Sequence, residues 1–99
     1  GFATPSEAFR LLAAGADALK LFPAEAFSPA VLRAMLAVLP ARTPVLPVGG
    51  IGPEAIGPWL AAGAAGFGIG SALFRPGIGA DDASQRAARL VSAVRAALV

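Results

Sequence analysis

Leu12-Ala13-Ala14-Gly15-Ala16 recurs 48 positions later as Leu60-Ala61-Ala62-Gly63-Ala64, and each copy leads into a short apolar run. Alanine and leucine followed by glycine indicate the end of a helix, because glycine readily adopts the left-handed backbone that closes a last turn. The apolar runs at residues 18–22 and 66–70 are predicted strands, and residues 45–48 between them are a third. The repeat therefore indicates one helix-to-strand unit that is used more than once.

Four helices are predicted in the intervals between and around these strands. The first has the clearest start, with Thr4 as N-cap, Pro5 as first helical residue and Glu7 at the capping-box position. The other three are predicted to begin after Ser28, at Pro53 and after the acidic pair Asp81-Asp82, which is expected to cap the last helix.

Alternation of helices and strands predicts an α/β fold whose parallel sheet is covered by crossover helices. A doubly wound sheet would require more uninterrupted aliphatic strands, whereas a (β/α)₈ barrel accepts small or polar residues inside. A whole barrel needs about 200 residues or more. We therefore expect residues 1–99 to be a single partial domain, the C-terminal half of a TIM barrel, with three parallel strands and four helices.

Composition excludes several kinds of chemistry. The 99 residues contain no Cys, His or Tyr, so a Cys/His zinc site, a disulfide and a Ser-His-Asp triad are all impossible within them. The net charge is only +2 and the seven arginines are dispersed, so no nucleic-acid partner is expected. No acidic cluster suits a metal, and we expect neither metal nor cofactor.

No membrane partner is expected either. The longest uncharged stretch, between Glu54 and Arg75, is interrupted by glycine and proline, which is unlike a membrane helix. No signal peptide is visible, which predicts a cytoplasmic protein. The chain starts at Gly1 without Met, which leads us to expect a piece of a longer protein.

Lys20 is the only lysine and stands in the middle of the predicted strand at residues 18–22. Because side chains alternate along a strand, the flanking leucines are predicted to face the helices, and Lys20 and Phe22 the barrel interior. Burial would favour the neutral amine, the nucleophile that forms a Schiff base with a carbonyl compound. Lys20 aligns with Gly68 in the repeat, which predicts free space beside its head. The alternative is an edge-strand lysine that faces water.

A turn that contains glycine follows each of two predicted strands. Gly49-Gly50 ends one, and Gly70-Ser71 ends the next. Glycine lets backbone N–H groups approach phosphate oxygens, a helix N-terminus favours negative charge, and Ser71 adds a hydroxyl donor. We therefore predict a phosphate site formed by both turns together, because glycine in a single strand-to-helix turn usually serves only the conformation of the turn. Glu25 is the carboxylate nearest to the lysine strand in sequence, and pairing with a cation or backbone amides is a better prediction for it than catalysis.

Four segments together resemble the bacterial 2-keto-3-deoxy-6-phosphogluconate (KDPG) and phosphogalactonate aldolases. They are Ala3-Thr4-Pro5-Ser6-Glu7, Ala18-Leu19-Lys20-Leu21-Phe22-Pro23-Ala24-Glu25, Pro47-Val48-Gly49-Gly50-Ile51 and Phe67-Gly68-Ile69-Gly70-Ser71-Ala72-Leu73. The resemblance covers nearly the whole chain, corresponds to the C-terminal half of the family, and is closer to the phosphogalactonate branch.

The resemblance implies a class I aldolase that cleaves 2-dehydro-3-deoxy-6-phosphogalactonate to pyruvate and D-glyceraldehyde 3-phosphate without a metal, as a homotrimer. It places Lys20 on the Schiff-base lysine and Phe22 beside the substrate. The implied phosphate-site residues are Gly49, Gly50, Gly70 and Ser71. The glutamate acid/base and a phosphate-site arginine of the family belong to strands that precede these residues, so neither Glu25 nor Arg75 is expected to replace them. Gly52 stands where members often have Thr or Ser, which weakens the expected helix cap.

Three other functions are consistent with the same residues. The phosphogluconate-specific aldolase is the nearest, and another phosphate-binding barrel, such as an epimerase or thiamine-phosphate synthase, is disfavoured by the lysine in the middle of a strand. The chain is also consistent with a non-catalytic half-barrel module whose glycine turns are only structural.

Overall fold

Helices and short strands alternate along the computed structural model, which describes residues 1–99. The elements are, in chain order, α1 (Pro5–Ala13), β1 (Leu19–Leu21), α2 (Pro29–Val38), β2 (Val45–Pro47), α3 (Pro53–Ala61) and α4 (Ala80–Ala97), with a 3₁₀ turn at Ala24–Ala26. The predicted α/β class and the four helices are confirmed. The third helix continues through Pro58 without interruption.

The sheet contains two parallel strands, so the prediction of three is wrong. In β1 and β2, Lys20 pairs with Leu46 and the neighbouring residues follow in register. The segment at residues 66–70, which was predicted to be a strand, runs beside β2, but it forms only one bridge, between Val48 and Gly68. It has glycine at positions 66, 68 and 70, and glycine weakens a strand because it is costly to order and has no side chain to pack.

A further strand position, which the sequence pattern did not predict, lies at the N-terminus. The Phe2 N–H donates to the Lys20 carbonyl at 2.8 Å, and the Phe22 N–H donates to the Phe2 carbonyl at 3.2 Å. Phe2 thereby forms a parallel bridge to Leu21, and its side chain is buried. Four parallel positions thus lie side by side in the order Phe2, β1, β2 and Gly68, each followed by one helix.

Local sequence explains where α1 begins and where α1 and α3 end. Thr4 Oγ1 accepts a hydrogen bond from the Glu7 N–H at 3.2 Å, which confirms Thr4 as the N-cap. The Glu7 carboxylate reaches back as in a capping box, but its Oε1 accepts from the N–H of Ala3, one residue before the N-cap, at 3.1 Å, and from the Thr4 hydroxyl at 3.0 Å. After α1 and α3, the chain reverses at Gly15 and Gly63, whose φ angles are +97° and +110°. These left-handed residues confirm the glycine stops predicted from the repeat.

The last helix begins differently from the prediction. Gly79 is the N-cap of α4 and provides no side-chain cap, while Asp81 and Asp82 lie inside the first turn. A carboxylate inside the first turn still favours the helix, because it lies near the positive end of the helix dipole. Asp82 has a second role, since it pairs with Arg86 one turn later.

The core lies between the sheet and the helices. Its most completely buried side chains include Leu19 and Leu21 of β1, Val45 of β2, Leu32 of α2 and Ile56 of α3. Burying side chains of this size contributes about 1.5–3 kcal/mol each, so these residues fix one face of the sheet against the helices. The opposite face, which carries Lys20, is left open. None of the helices combines the length and apolar character needed to cross a membrane.

Candidate active site

The predicted substrate and phosphate residues lie where the parallel strands end, whereas Lys20 stands in the middle of β1 and is not among the residues that line the cavity there. Carboxyl ends of parallel strands share one edge of a sheet, and ligands of α/β proteins bind outside that edge. A cavity of about 550 Å³ opens there. It is lined by all five residues predicted to contact substrate or phosphate, namely Phe22, Gly49, Gly50, Gly70 and Ser71. The fold therefore brings the two glycine turns and the end of the lysine strand to one place.

Lys20 projects from the open face of β1, on the side opposite to the buried leucines 19 and 21. This confirms the alternation predicted from the sequence, but the lysine side chain is exposed, so the face expected to be a barrel interior is open in these residues. Its Nζ lies 4.6 Å from the centroid of the Phe22 ring. Since Phe22 also lines the cavity, it connects the lysine with the glycine turns.

Gly68 does not leave free space for the lysine head, contrary to the expectation from the repeat. A Cβ at this position would lie 2.6 Å from Cγ2 and 2.9 Å from Cγ1 of Val48. Glycine is thus required for the close approach of the last strand segment to the Val48 side chain. The room beside Lys20 comes instead from the open face of the sheet.

The glycine pair after β2 has a backbone that other residues adopt at a cost. The φ angles of Gly49 and Gly50 are +112° and +69°, and consecutive residues of this kind can turn N–H groups towards an anion. Glu25 lies directly against the pair, since a Cβ on Gly50 would be 2.6 Å from its Oε2 and one on Gly49 would be 3.1 Å from its Oε1. A carboxylate therefore lies where the phosphate site is predicted.

A second carboxylate lies at the start of α3. Gly52 is the N-cap of α3 and provides no side-chain hydrogen bond, as predicted for a glycine at this position. A Cβ on Gly52 would lie 2.7 Å from Glu54 Oε1, so the Glu54 carboxylate folds back over the helix start. The positive end of a helix dipole favours that position.

The turn after Gly70 is closed by hydrogen bonds from the Leu73 and Phe74 N–H groups to the Gly70 carbonyl, each at 3.0 Å. Ser71 is exposed at the start of this turn. No helix begins here, because α4 starts only at Ala80. The helix terminus that adjoins the cavity is therefore that of α3, through the lining residues Gly52 and Glu54.

Arg75 and Arg86 also line the cavity, and the sequence patterns identified neither as part of the site. Arg75 is exposed in the turn, whereas the Arg86 side chain is 25% exposed and pairs with Asp82 at 3.0 Å. The spacing of Asp82 and Arg86 is a signal for a helix ion pair, but nothing in the sequence places that pair beside a glycine turn.

Another cavity, of about 500 Å³, lies between α3 and α4 and is lined almost entirely by apolar side chains. It lacks the polar groups that a phosphorylated substrate requires, so the cavity at the strand ends is the candidate site. No three side chains of the Asp and Glu type lie together as a metal site would require.

Comparison with known proteins defines the family. The family described as "KDPG and KHG aldolase" matches residues 1–90, and the chain belongs to this family. A 2-dehydro-3-deoxy-6-phosphogalactonate aldolase of Escherichia coli (strain K12) is 48% identical over 98 residues, which cover 99% of this chain and 48% of the relative. A relative from Rhizobium meliloti (strain 1021), named "Probable 2-dehydro-3-deoxy-6-phosphogalactonate aldolase", is 41% identical over 94% of this chain and 44% of its own length.

Solved structures show the same relationship. One described as "Native KDPGal structure" superposes with a TM-score of 0.97 at 48% identity, over 99% of this chain and 48% of that one. A thiamine phosphate pyrophosphorylase from Pyrococcus furiosus superposes with a TM-score of 0.78 at 26% identity, over the same shares. The chain spans about half the length of the curated relatives it matches.

Proposed function

We propose that these residues form the C-terminal half of a class I aldolase that cleaves 2-dehydro-3-deoxy-6-phosphogalactonate to pyruvate and D-glyceraldehyde 3-phosphate. One observation carries the proposal: Phe22 lies beside the amine of Lys20 and also lines the cavity that contains both glycine turns. A carbonyl at the lysine and a phosphate at the glycines could therefore belong to one substrate. The relatives named for this activity share 48% and 41% of the aligned residues.

The proposed architecture is half of a (β/α)₈ barrel. Four parallel positions, at Phe2, β1, β2 and Gly68, are each followed by a helix, and eight such steps make a whole barrel. The open face with Lys20 corresponds to the interior of that barrel, and the strand ends correspond to the end where barrel enzymes place their sites.

In the proposed reaction Lys20 is the nucleophile. Its neutral Nζ attacks the C2 carbonyl of the keto acid, and loss of water leaves an imine. Removal of the proton on the C4 hydroxyl then breaks the bond between C3 and C4, and the electron pair passes into the imine as an enamine. D-Glyceraldehyde 3-phosphate leaves. Protonation of the enamine at C3 and addition of water release pyruvate and restore the amine.

The glycine turns and Ser71 are proposed to hold the phosphate. Gly49 and Gly50 have the left-handed backbone, and the start of α3 adjoins them. Phe22 lies between the two ends of the substrate and orients it. Fixing both ends places the bond to be broken beside the imine, which is the advantage of positioning in an active site.

Phosphogluconate specificity is the alternative that the residues support next, because the two substrates differ only in configuration. The structural likeness to a thiamine phosphate pyrophosphorylase supports a phosphate-binding barrel of another activity. The lysine in the middle of β1 favours the aldolase over that activity. A homotrimer in the cytoplasm completes the proposal. An oligomer is supported by the chain of a protein cage "designed by fusing symmetric oligomeric domains", which is 48% identical to this chain over 36% of its own length.

The proposal is tested by trapping the imine. The chain is incubated with pyruvate and borohydride, and the adduct is mapped by peptide mass spectrometry. Because Lys20 is the only lysine, the α-amino group is the only competing amine, and mapping separates the two. Lys20→Arg is the matched control. The same trap is run on this chain fused behind the first half of the E. coli relative, since this chain covers 48% of it.

We expect an adduct at Lys20 that is absent from Lys20→Arg and is unaffected by EDTA. An adduct only in the fusion would mean that the site needs both halves. The absence of a Lys20 adduct from both proteins would contradict the aldolase. In the fusion, turnover of the phosphogalactonate compared with the phosphogluconate distinguishes the two specificities.

A further inference from the structure

We propose that Arg86 is an anion-binding residue of the cavity, the cation by which α4 holds the phosphate group of the substrate. This inference rests on the proposed function. It adds to the glycine turns a charged side chain from the last helix, which the motifs of the sequence do not include. Arg86 lines the same cavity as Gly49, Gly50 and Ser71.

Two hydrogen bonds hold the Arg86 guanidinium in place. Its Nε donates to Asp82 Oδ1 at 3.0 Å, one turn earlier in α4, and its Nη1 donates to the Ala72 carbonyl at 3.4 Å. Ala72 follows Ser71, so Arg86 contacts the turn that is proposed to bind the phosphate. An arginine side chain loses much rotamer entropy when it is fixed, and here that ordering is already achieved by Asp82 and Ala72.

The Arg86 guanidinium has N–H donors that are not used by Asp82 or Ala72. It carries five N–H donors in a planar fork, and the two bonds to Asp82 and Ala72 leave the others free. Arg86 lines both the main cavity and a smaller hollow beside Gly52 and Glu54 at the start of α3. It therefore stands between the turn after Gly70 and the helix start after Gly50, where its remaining donors can reach a phosphate held by both.

The negative charge in the cavity favours a cation from these residues beside the phosphate. Glu25 and Glu54 both line it, and both would repel a phosphate. Backbone N–H groups alone would have to overcome two carboxylates. Arg75 lines the cavity as well, but it is exposed and its side chain makes no hydrogen bond, so its charge is more strongly screened by water. Arg86 is the better placed cation because it is partly buried and oriented.

Inorganic phosphate is the probe, titrated into the full chain and followed by calorimetry. Variants are Arg86→Ala, Arg86→Lys and Arg86→Gln, with Arg95→Ala as control because Arg95 is on the same helix and does not line this cavity. We expect Arg86→Ala to weaken binding about tenfold or more, since hydrogen bonds to charged groups are the strong ones. Arg86→Lys should recover part of the affinity, and Arg95→Ala should bind within about twofold of wild type.

Arg86→Gln separates charge from architecture, because a glutamine amide can still donate to Asp82 or Ala72 but has no charge. If Arg86→Gln loses affinity for phosphate while its melting temperature is unchanged, the proposal is supported. This result is sufficient even if Arg86→Ala does not fold. Wild-type affinity in Arg86→Gln overturns it, and so does a wild-type chain that binds no phosphate. The pyruvate trap at Lys20 is run on the same variants. A Lys20 adduct beside unchanged phosphate affinity would refute the role of Arg86 alone, whereas the absence of the adduct from both this chain and the fusion would refute the aldolase.

Discussion

The Nζ of Lys20 lies 4.6 Å from the centroid of the Phe22 ring, two residues further along the same face of the sheet. Phe22 is half exposed, at 48%, and the only amine side chain in the molecule lies over its ring. Phe22 therefore limits the positions that the lysine head can adopt and gives it an apolar neighbour on the side of the cavity.

Replacing the ring should weaken imine formation. For Phe22→Leu we expect the yield of pyruvate adduct at Lys20 to fall about two- to fivefold, because the protonated imine formed on Lys20 is a cation beside the ring, and such an exposed contact contributes about 0.5–1 kcal/mol. Quantitative peptide mass spectrometry measures the yield. Phe74→Leu is the control, since Phe74 is also exposed but lies outside the cavity lining. Equal yields in both variants would contradict a role for the ring.

Gly50 should not tolerate a side chain. Gly50→Ala places a Cβ 2.6 Å from Glu25 Oε2 in addition to forcing alanine into a left-handed backbone at φ +69°. Gly77→Ala isolates the backbone cost, because φ is +97° there and nothing lies within 4 Å. We expect about 1–2 kcal/mol of lost stability in urea denaturation for Gly77→Ala and a larger loss for Gly50→Ala. Only Gly50→Ala should also lose phosphate affinity.

Removing the negative charge at the glycine pair should strengthen anion binding. The Glu25 carboxylate lies against Gly49 and Gly50, and two like charges about 4 Å apart repel by roughly 1 kcal/mol in water. Glu25→Gln is therefore expected to lower the Kd for inorganic phosphate by about fivefold in a calorimetric titration. Asp17→Asn removes an exposed carboxylate outside the cavity lining and should leave the Kd unchanged. Weaker binding by Glu25→Gln would show instead that the carboxylate organises the turn.

The start of α1 should respond to acid. Hydrogen bonds from the Ala3 N–H and the Thr4 hydroxyl hold the pKa of Glu7 below its ordinary value of 4.5. The stabilisation from the ionised carboxylate is thus complete above about pH 4.5 and is lost as the pH falls through the lowered pKa. Thr4→Val should raise the Glu7 pKa, measured by NMR titration, and cost about 1 kcal/mol at neutral pH through the lost cap. Ser6→Ala, in the same turn, is expected to leave the Glu7 titration midpoint unchanged.

Much of the fold was predictable because its helix boundaries are encoded locally. Thr4 and Ser28 cap their helices as expected, and Gly15 and Gly63 end theirs. The strand at residues 66–70 was not predicted correctly, since a glycine-rich segment depends on its neighbours for pairing. The strand position at Phe2 was missed because a single residue carries no periodicity.

The residues that line the candidate site were predictable in part, for a related reason. The residues of the glycine turns and of the lysine strand can be identified in the sequence by their type and position. In the fold, the carboxyl ends of the strands bring them close together. Arg86 cannot be identified in this way, because an arginine on an amphipathic helix has the same pattern whether its head is in water or beside a turn. Its bond to Ala72, 14 positions away, exists only in the folded chain. The closeness of Glu25 to the glycine pair is a tertiary feature of the same kind.

The left-handed glycines at positions 15 and 63 also bear on ancestry. They mark equivalent points of a unit 48 residues long that contains two helices and two parallel strand positions. Four units of this length come to about 200 residues, the size of a small complete barrel. A 48-residue spacing between equivalent glycines is the pattern expected if a gene for a short ancestral unit was duplicated and its copies were fused. In such a lineage Lys20 and Gly68 occupy the same place in successive units, and the two copies have diverged, one to the lysine proposed here as the nucleophile and the other to a glycine that allows close packing.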